Sequence, residues 1–254
     1  MPRSKETIRL SLPDDGELHG DLSGIGDSHA VLLFVHGFSS RRTGEKSLAL
    51  EQCCARRGWA FAAFDFRGHG DSSGRMLDLR PRGLQADLDA IADYLRERGC
   101  RRLCLVGSSM GGWASAWFAL RRPELVPACV LIAPAFRFLT SRWESLSEPE
   151  RLAWRQTGRH RIVNDWVDTE VGLGGIEEAD QFPPDRLLTG WSRPLLIYHG
   201  MRDEVVPVTL SQDFVNRVAF ADVELHLFKD GDHRLSTYKD VLAEGACDFF
   251  QRYL

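Results

Sequence analysis

The chain has 254 residues, 43% of them hydrophobic and 27% charged, enough to bury a large core as one domain with an insertion, or two domains at most. Its 32 Lys and Arg stand against 36 Asp and Glu, and the net charge of -4 supplies no electrostatic footprint for nucleic acid or for an anionic membrane. No apolar run approaches the ~18 residues needed to cross a bilayer and the start, MPRSKETIRL, lacks an apolar signal region, so the chain is expected in the cytoplasm without stable membrane association.

Short β-rich runs ending in Gly alternate with amphipathic helical patterns, the mark of an α/β protein with a mostly parallel sheet covered on both faces. Residues 7–12 and 17–21, joined by Pro13-Asp14-Asp15-Gly16, read as an antiparallel edge hairpin. Further strands are expected at 30–35, 59–64, 103–106, 129–133, 195–198 and 223–228, which makes eight. Leu84, Leu88, Ile91 and Leu95 draw one apolar helical stripe between Pro81 and Gly99, with Asp87, Asp89 and Asp93 away from it. Helices also fit 46–57, 110–121, 207–218 and 237–252. The six cysteines are expected to stay reduced: Cys53 and Cys54 are adjacent, while Cys104 and Cys129 fall in strand-like runs. Neither C-x-x-C nor H-E-x-x-H occurs, so no metal is expected.

Residues 134–192, between the sixth and seventh strands, are too many for a structureless loop. They read as a lid inserted into a core formed by 1–133 and 193–254. Ser147-Glu148-Pro149-Glu150 is a capping box opening a short helix through Gln156, and 171–175 is Gly-rich and turn-like. Arg151, Arg155 and Arg159 would share a solvated face if that helix persisted. Trp143, Trp154, Trp166, Phe182 and Trp191 crowd aromatic surface into this segment, and Trp143, Trp154 and Trp166 are the candidate substrate-binding residues.

Gly107-Ser108-Ser109-Met110-Gly111 is a G-x-S-x-G sequence set between a predicted strand and a predicted helix. At such a turn the central serine is strained, its hydroxyl stands above the sheet, and the small residues two before and two after let neighbouring chains approach. Ser109 is therefore the candidate nucleophile, in preference to Ser108. A serine hydroxyl needs a base to take its proton and an acid to orient that base. His233 follows the last strand and is the candidate base, whereas His19, His29, His160 and His226 read as surface or packing histidines. Asp203, directly after the seventh strand, is the candidate acid, with Glu204 its rival. The N–H groups of Met110 and of Phe38, in the loop Val35-His36-Gly37-Phe38, are the candidate oxyanion-hole donors. Asp65 and Arg67, in a loop after the fourth strand, are expected to pair as a structural ion pair.

With His-Gly-Phe, G-x-S-x-G, a late Asp and a final His in the order Ser109, Asp203, His233, the chain resembles the α/β-hydrolase superfamily over essentially its whole length. Val106-Gly-Ser-Ser-Met-Gly-Gly-Trp113, His199-Gly-Met-Arg-Asp-Glu-Val-Val-Pro207 and Asp232-His-Arg-Leu235 are similar to the abhydrolase-domain group of palmitoyl-protein thioesterases and acyl-glucuronide esterases. It departs from that group in a loop that begins at His36 and carries Arg41 and Arg42. The resemblance implies an eight-stranded α/β-hydrolase fold and Ser109, Asp203 and His233 as nucleophile, acid and base. It also implies a cofactor-independent hydrolase of small acyl esters or thioesters, S-acylated proteins included. Two other readings stand beside it: an aminopeptidase or amidase, for which Glu177 and Glu178 could anchor an amino terminus, and a non-catalytic small-molecule binder of the same fold.

Overall fold

In a computed structural model the chain is described over residues 5–24, 29–138, 140–164 and 166–254. Residues 1–4, at the head of the segment without an apolar signal region, lie outside these. In chain order the elements are β1 (Lys5–Ser11), β2 (Glu17–Ser23), β3 (Ala30–Val35), α1 (Glu45–Arg57), β4 (Ala60–Phe64), α2 (Pro81–Glu97), β5 (Arg102–Ser108), α3 (Met110–Arg121) and β6 (Cys129–Ile132). After them come α4 (Ser141–Ser145), α5 (Glu148–Thr157), β7 (Arg159–Asn164), β8 (Val167–Gly172), α6 (Gly174–Glu177), α7 (Pro184–Gly190), β9 (Leu195–Gly200), α8 (Thr209–Arg217), β10 (Val223–Phe228) and α9 (Lys239–Gln251).

Eight strands form one sheet in the order β1-β2-β4-β3-β5-β6-β9-β10. The β1–β2 and β2–β4 pairs are antiparallel and the others parallel, as the alternation of strands and helices predicts. Because successive strand side chains point to opposite faces, the unbroken apolar runs feed two cores. Val31, Leu33, Val35, Leu103, Leu105, Leu195 and Ile197 pack with α2 and α3. Leu32, Phe34, Cys104, Val106, Leu196 and Tyr198 pack with α1 and α9 on the other side. The stripe of Leu84, Leu88, Ile91 and Leu95 lies in the first core, as its spacing predicts. All six cysteines are free and buried, and among the described residues no helix is long and apolar enough to cross a membrane.

Two charged positions differ from the sequence reading. Asp87, placed off the stripe, is only 1% exposed and accepts the backbone N–H (3.0 Å) and Nε (2.7 Å) of Arg67. Burial pushes its carboxyl pKa up, and the Arg67 contacts offset only part of that. Asp65 consequently has a different cation: it accepts the Arg42 guanidinium, together with the backbone N–H groups of Arg42 (2.6 Å) and Asp71 (3.1 Å). Arg42 also reaches Asp21 at 3.0 Å and Asp71 at 2.9 Å, so it clamps the loop after β3 to the loop after β4.

Between β6 and β9, the capping box of Ser147 and Glu150 opens α5 as predicted, but the helix stops at Thr157 and Gly158 closes it. Arg159 therefore begins β7 and does not continue the helix face. Of the other two arginines, Arg155 is exposed, with its guanidinium 4.9 Å from the Trp143 ring centre, while Arg151 is half-buried, lies 3.9 Å from Glu148 and donates to the carbonyls of Trp143 and Glu144, both at 2.9 Å. The antiparallel β7–β8 hairpin was not legible in the sequence, which suggested only a turn near residues 171–175. Apart from Val171 its residues are half-buried or exposed, so the apolar alternation that betrays a strand is thin. Farther on, α7 packs on α3 and sends Leu187 and Leu188, with Trp191 just after it, into the sheet's own core.

Candidate active site

β5 and α3 meet at Ser109, whose backbone has φ 54° and ψ -115°, a strained conformation for a residue with a side chain. The turn is held by Ser109 N–H donating to the Ile132 carbonyl at 2.9 Å, while the Ser109 carbonyl accepts the N–H groups of Trp113 and Ala135, both at 3.1 Å. The flanking glycines are required by contact. A Cβ on Gly107 would lie 2.4 Å from the Gly111 carbonyl oxygen, and one on Gly111 would lie 2.1 Å from that of Val35. The sharp turn brings Ser109 to the C-terminal edge of the sheet with its side chain half-buried at the floor of a cleft.

Two loops at the same edge complete a line. The Ser109 hydroxyl lies 3.0 Å from His233 Nε2, and His233 Nδ1 lies 2.7 Å from Asp203 Oδ2. Asp203 is buried and Glu204 is exposed, because the turn after β9 points successive side chains apart. The Asp203 Oδ1 accepts the N–H groups of Val205 (2.9 Å) and Val206 (2.7 Å), and Oδ2 is also 3.1 Å from His199 Nε2. Burial by itself would raise the Asp203 pKa, but hydrogen bonds from His199, His233 and the Val206 backbone outweigh it and hold the carboxyl below the ordinary range. An ionised, fully bonded carboxylate on Nδ1 fixes the imidazole tautomer that leaves Nε2 free to accept the serine proton.

The β3 loop faces Ser109 from the other side. A Cβ on Gly37 would sit 3.2 Å from the Ser108 carbonyl oxygen and 3.3 Å from Ser109 Cβ, so Phe38 follows within reach of the serine. Among the described residues the Phe38 N–H has no acceptor, and the Met110 N–H, at the first position of α3, has no intrahelical one. His36 stiffens this loop: Nδ1 donates to the Gly37 carbonyl at 2.8 Å and Nε2 accepts the Phe66 N–H at 3.0 Å. Burial, aided by the neighbouring His69, lowers the His36 pKa to about 3, so it is neutral and holds position without adding charge.

The cleft above Ser109 measures about 1170 Å³. Its lining is mixed: Phe38, Phe138, Trp154, Ile162, Trp166 and Val171 supply apolar surface, and Lys46, Arg137, Arg142, Glu144, Glu204 and Arg234 supply charge. Of the three predicted tryptophans, Trp154 and Trp166 line it and Trp143 does not. Trp143 packs behind Trp154, ring centres 5.6 Å apart, in a small apolar cluster with Leu146 and Val171. Phe182 is spent on α3, against Trp113 and Trp117. Glu177 bonds Arg80 at 2.9 Å and Glu178 accepts the Arg82 N–H at 2.9 Å, and neither lines the cleft. Sequence reasoning passed over His199, although its spacing of four from Asp203, across the turn after a buried strand, was the available signal. Among the described residues no group of three or more His, Cys, Asp or Glu side chains is arranged to hold a metal ion.

Comparison with known proteins assigns the class. The family model described as "Serine aminopeptidase, S33" matches residues 26–166, over half of the chain, and the chain belongs to this family of α/β hydrolases. The protein is thus a hydrolase by fold and family. Its relatives include the mitochondrial palmitoyl-protein thioesterase ABHD10 of mouse (Mus musculus), 30% identical over 213 residues that cover 83% of this chain and 71% of that protein. A crystal structure of a putative hydrolase from Agrobacterium vitis S4 superposes with a TM-score of 0.87 at 25% identity, covering 98% of this chain and 99% of that one. The structure of alpha/beta hydrolase domain-containing protein 10 from mouse gives 0.83 at 25% identity, covering 97% and 99%.

Proposed function

We propose that the protein is a serine hydrolase that cleaves carboxylic esters or thioesters through an acyl-enzyme on Ser109. The observation that carries this reading is the continuous line from the Ser109 hydroxyl to His233 Nε2 (3.0 Å) and from His233 Nδ1 to Asp203 (2.7 Å), set on a strained turn beside the Phe38 N–H, which has no acceptor among the described residues, and the Met110 N–H at the start of α3. Ser109 Oγ attacks the carbonyl carbon as its proton passes to His233 Nε2. The N–H groups of Phe38 and Met110 hold the oxyanion, and the positive end of α3 lies under it. The tetrahedral intermediate collapses, and the alkoxide or thiolate leaves with the proton from His233. Water, giving a proton to the same nitrogen, then attacks the acyl-serine, and the acid departs while Ser109 regains its hydrogen. Each step is carried by side chains, backbone and water.

Residues 134–192 act in this reading as the lid. Trp154 and Trp166 line the acyl side, Trp143 supports Trp154, and α7 ties the segment back to the core. A cleft of about 1170 Å³ exceeds the ~300–1,000 Å³ usual for small ligands, which favours a substrate with both an acyl chain and a sizeable leaving group. The name of the mouse relative, palmitoyl-protein thioesterase, extends the reading to S-acylated proteins. The six buried free thiols support a reducing compartment, and we take it to be the cytoplasm, although that relative is described as mitochondrial. The aminopeptidase reading draws no support from Glu177 and Glu178, which bond Arg80 and the Arg82 N–H and do not themselves line the cleft.

The test is labelling with a fluorophosphonate, peptide mapping, and a panel of p-nitrophenyl esters, acyl-CoA, S-acyl peptides and aminoacyl anilides. A single adduct on Ser109, loss of ester turnover in Ser109→Ala by a factor of ~10⁴ and retention of most of it in Ser108→Ala are expected. Turnover in Ser109→Ala comparable with wild type would overturn the proposal. Anilides hydrolysed faster than every ester and thioester would return it to the peptidase reading.

A further inference from the structure

His199 is completely buried at the end of β9, and each polar atom of its ring has a partner. Nε2 lies 2.9 Å from the Val206 carbonyl oxygen and 3.1 Å from Asp203 Oδ2, and Nδ1 lies 2.8 Å from Ser211 Oγ at the start of α8. A carbonyl oxygen only accepts, so the hydrogen is on Nε2 and faces the carboxylate as well. The Ser211 hydroxyl stands against the opposite nitrogen and keeps the ring from turning. Asp203 thereby receives two backbone donors on Oδ1 and two imidazoles on Oδ2, one from the buried side and one, His233, from the cleft side.

We infer that His199 is a positioning residue for the reaction: its Nε2–H occupies the part of Oδ2 that His233 does not use and so fixes the carboxylate plane against His233. This rests on the proposed roles of Ser109, His233 and Asp203. The backbone donors keep Oδ1 on its loop without help. Rotation about the Cβ–Cγ bond of Asp203 moves both oxygens together, so the two backbone donors on Oδ1 and the His199 donor on Oδ2 oppose it jointly, and His199 is the side chain besides His233 that does so at Oδ2. His199 does not line the cleft, so its contribution is to turnover and not to substrate binding. The sequence spacing alone gave Asp203 a role and His199 none. Burial on both sides of the carboxylate is what joins them.

The experiment compares His199→Phe, which keeps a ring and removes the donor, with His199→Gln, whose amide can restore it near Nε2, and with Ser211→Ala. For His199→Phe, kcat on a p-nitrophenyl ester should fall about 10- to 100-fold, the weight of one hydrogen bond to a charged group, with KM within about twofold. His199→Gln should regain most of that loss, and Ser211→Ala should show a smaller fall in kcat alone. The downfield proton resonance of the His233–Asp203 hydrogen bond should move in the Phe variant and return in the Gln variant. Wild-type kcat in His199→Phe, a loss confined to KM, or an equal loss in folded Phe and Gln variants would overturn the inference. Should the Phe variant fail to fold, wild-type kcat in Ser211→Ala together with an unmoved resonance would do so. Asp203→Asn is measured alongside. If it remains active the proposed function itself fails, whereas if it is inactive while His199→Phe is fully active only the role of His199 fails.

Discussion

Replacing Gly111 by Ala tests whether the serine turn and the oxyanion loop form one rigid body. The added Cβ would lie 2.1 Å from the Val35 carbonyl oxygen and 2.4 Å from that of His36, where ordinary contact begins near 3.4 Å, so about 1.3 Å must be opened between α3 and the end of β3. Both obstacles are backbone, at the last residue of β3 and the buried His36 that follows it, and neither can swing aside as a side chain would. The displaced segment carries Phe38, two residues beyond His36. Since a misplacement of ~1 Å at a reacting centre costs roughly 10²-fold, kcat/KM for p-nitrophenyl butyrate should fall by about two orders of magnitude or more. Overpacking should cost ~1–3 kcal/mol against a helix-propensity gain of ~1 kcal/mol, lowering Tm by a few degrees. Two controls bracket the effect. Gly37→Ala meets its neighbours at 3.2 and 3.3 Å, which a shift of a few tenths of an ångström relieves, so its loss of kcat/KM should stay within about tenfold. Gly83→Ala, in α2 with nothing within 4 Å, should gain ~0.5–1 kcal/mol and leave activity unchanged. Activity in Gly111→Ala within threefold of wild type, with Tm unmoved, would refute the reasoning.

Asp203→Asn should lower kcat by about 10⁴ and Glu204→Gln by little, because the first is buried on His233 and the second faces solvent; the reverse ranking in steady-state kinetics would move the acid one position. The Asp203 carboxyl is held below its ordinary value, so its contribution to folding is full above the unfolded value near ~4 and is lost as pH falls from there. In melts from pH 7 down to pH 2 the gap in Tm between wild type and Asp203→Asn should accordingly narrow below about pH 4, and a gap that widened in acid would contradict the sign. In a series of acyl chain lengths, each CH₂ is worth ~0.8 kcal/mol, so kcat/KM should rise three- to fourfold per carbon until the pocket is full and then decline. Trp154→Ala and Trp166→Ala should flatten that slope and Trp143→Ala should act mainly on stability; a response already flat in the wild type would show that residues 134–192 are a cover and not the specificity element.

The sequence by itself determined the sheet and named the candidate residues that the fold brings together. Apolar runs bounded by Gly located eight strands, the four-three-four spacing in α2 located its buried stripe, and G-x-S-x-G between strand and helix located the strained turn, because each is a record of local backbone period or local sterics. Asp203 and His233 were legible for the same reason, each following directly on a strand end. What the tertiary structure alone decided is which side chains meet across loops. Asp65 takes Arg42 and Arg67 takes Asp87, partners 23 and 20 residues away, and no periodicity encodes a choice among several cations of equal charge. The β7–β8 hairpin escaped notice because most of its residues are no more than half-buried, so no alternation was imposed on them. Trp143 and Trp154 are equally aromatic on the page, yet one supports and the other lines the cleft. His199 acquires its partner only when β9, its turn and α8 close around one carboxylate. Chain pattern reports how each segment must face a core; the pairing of polar groups depends on distances between segments, which exist only once the chain has folded.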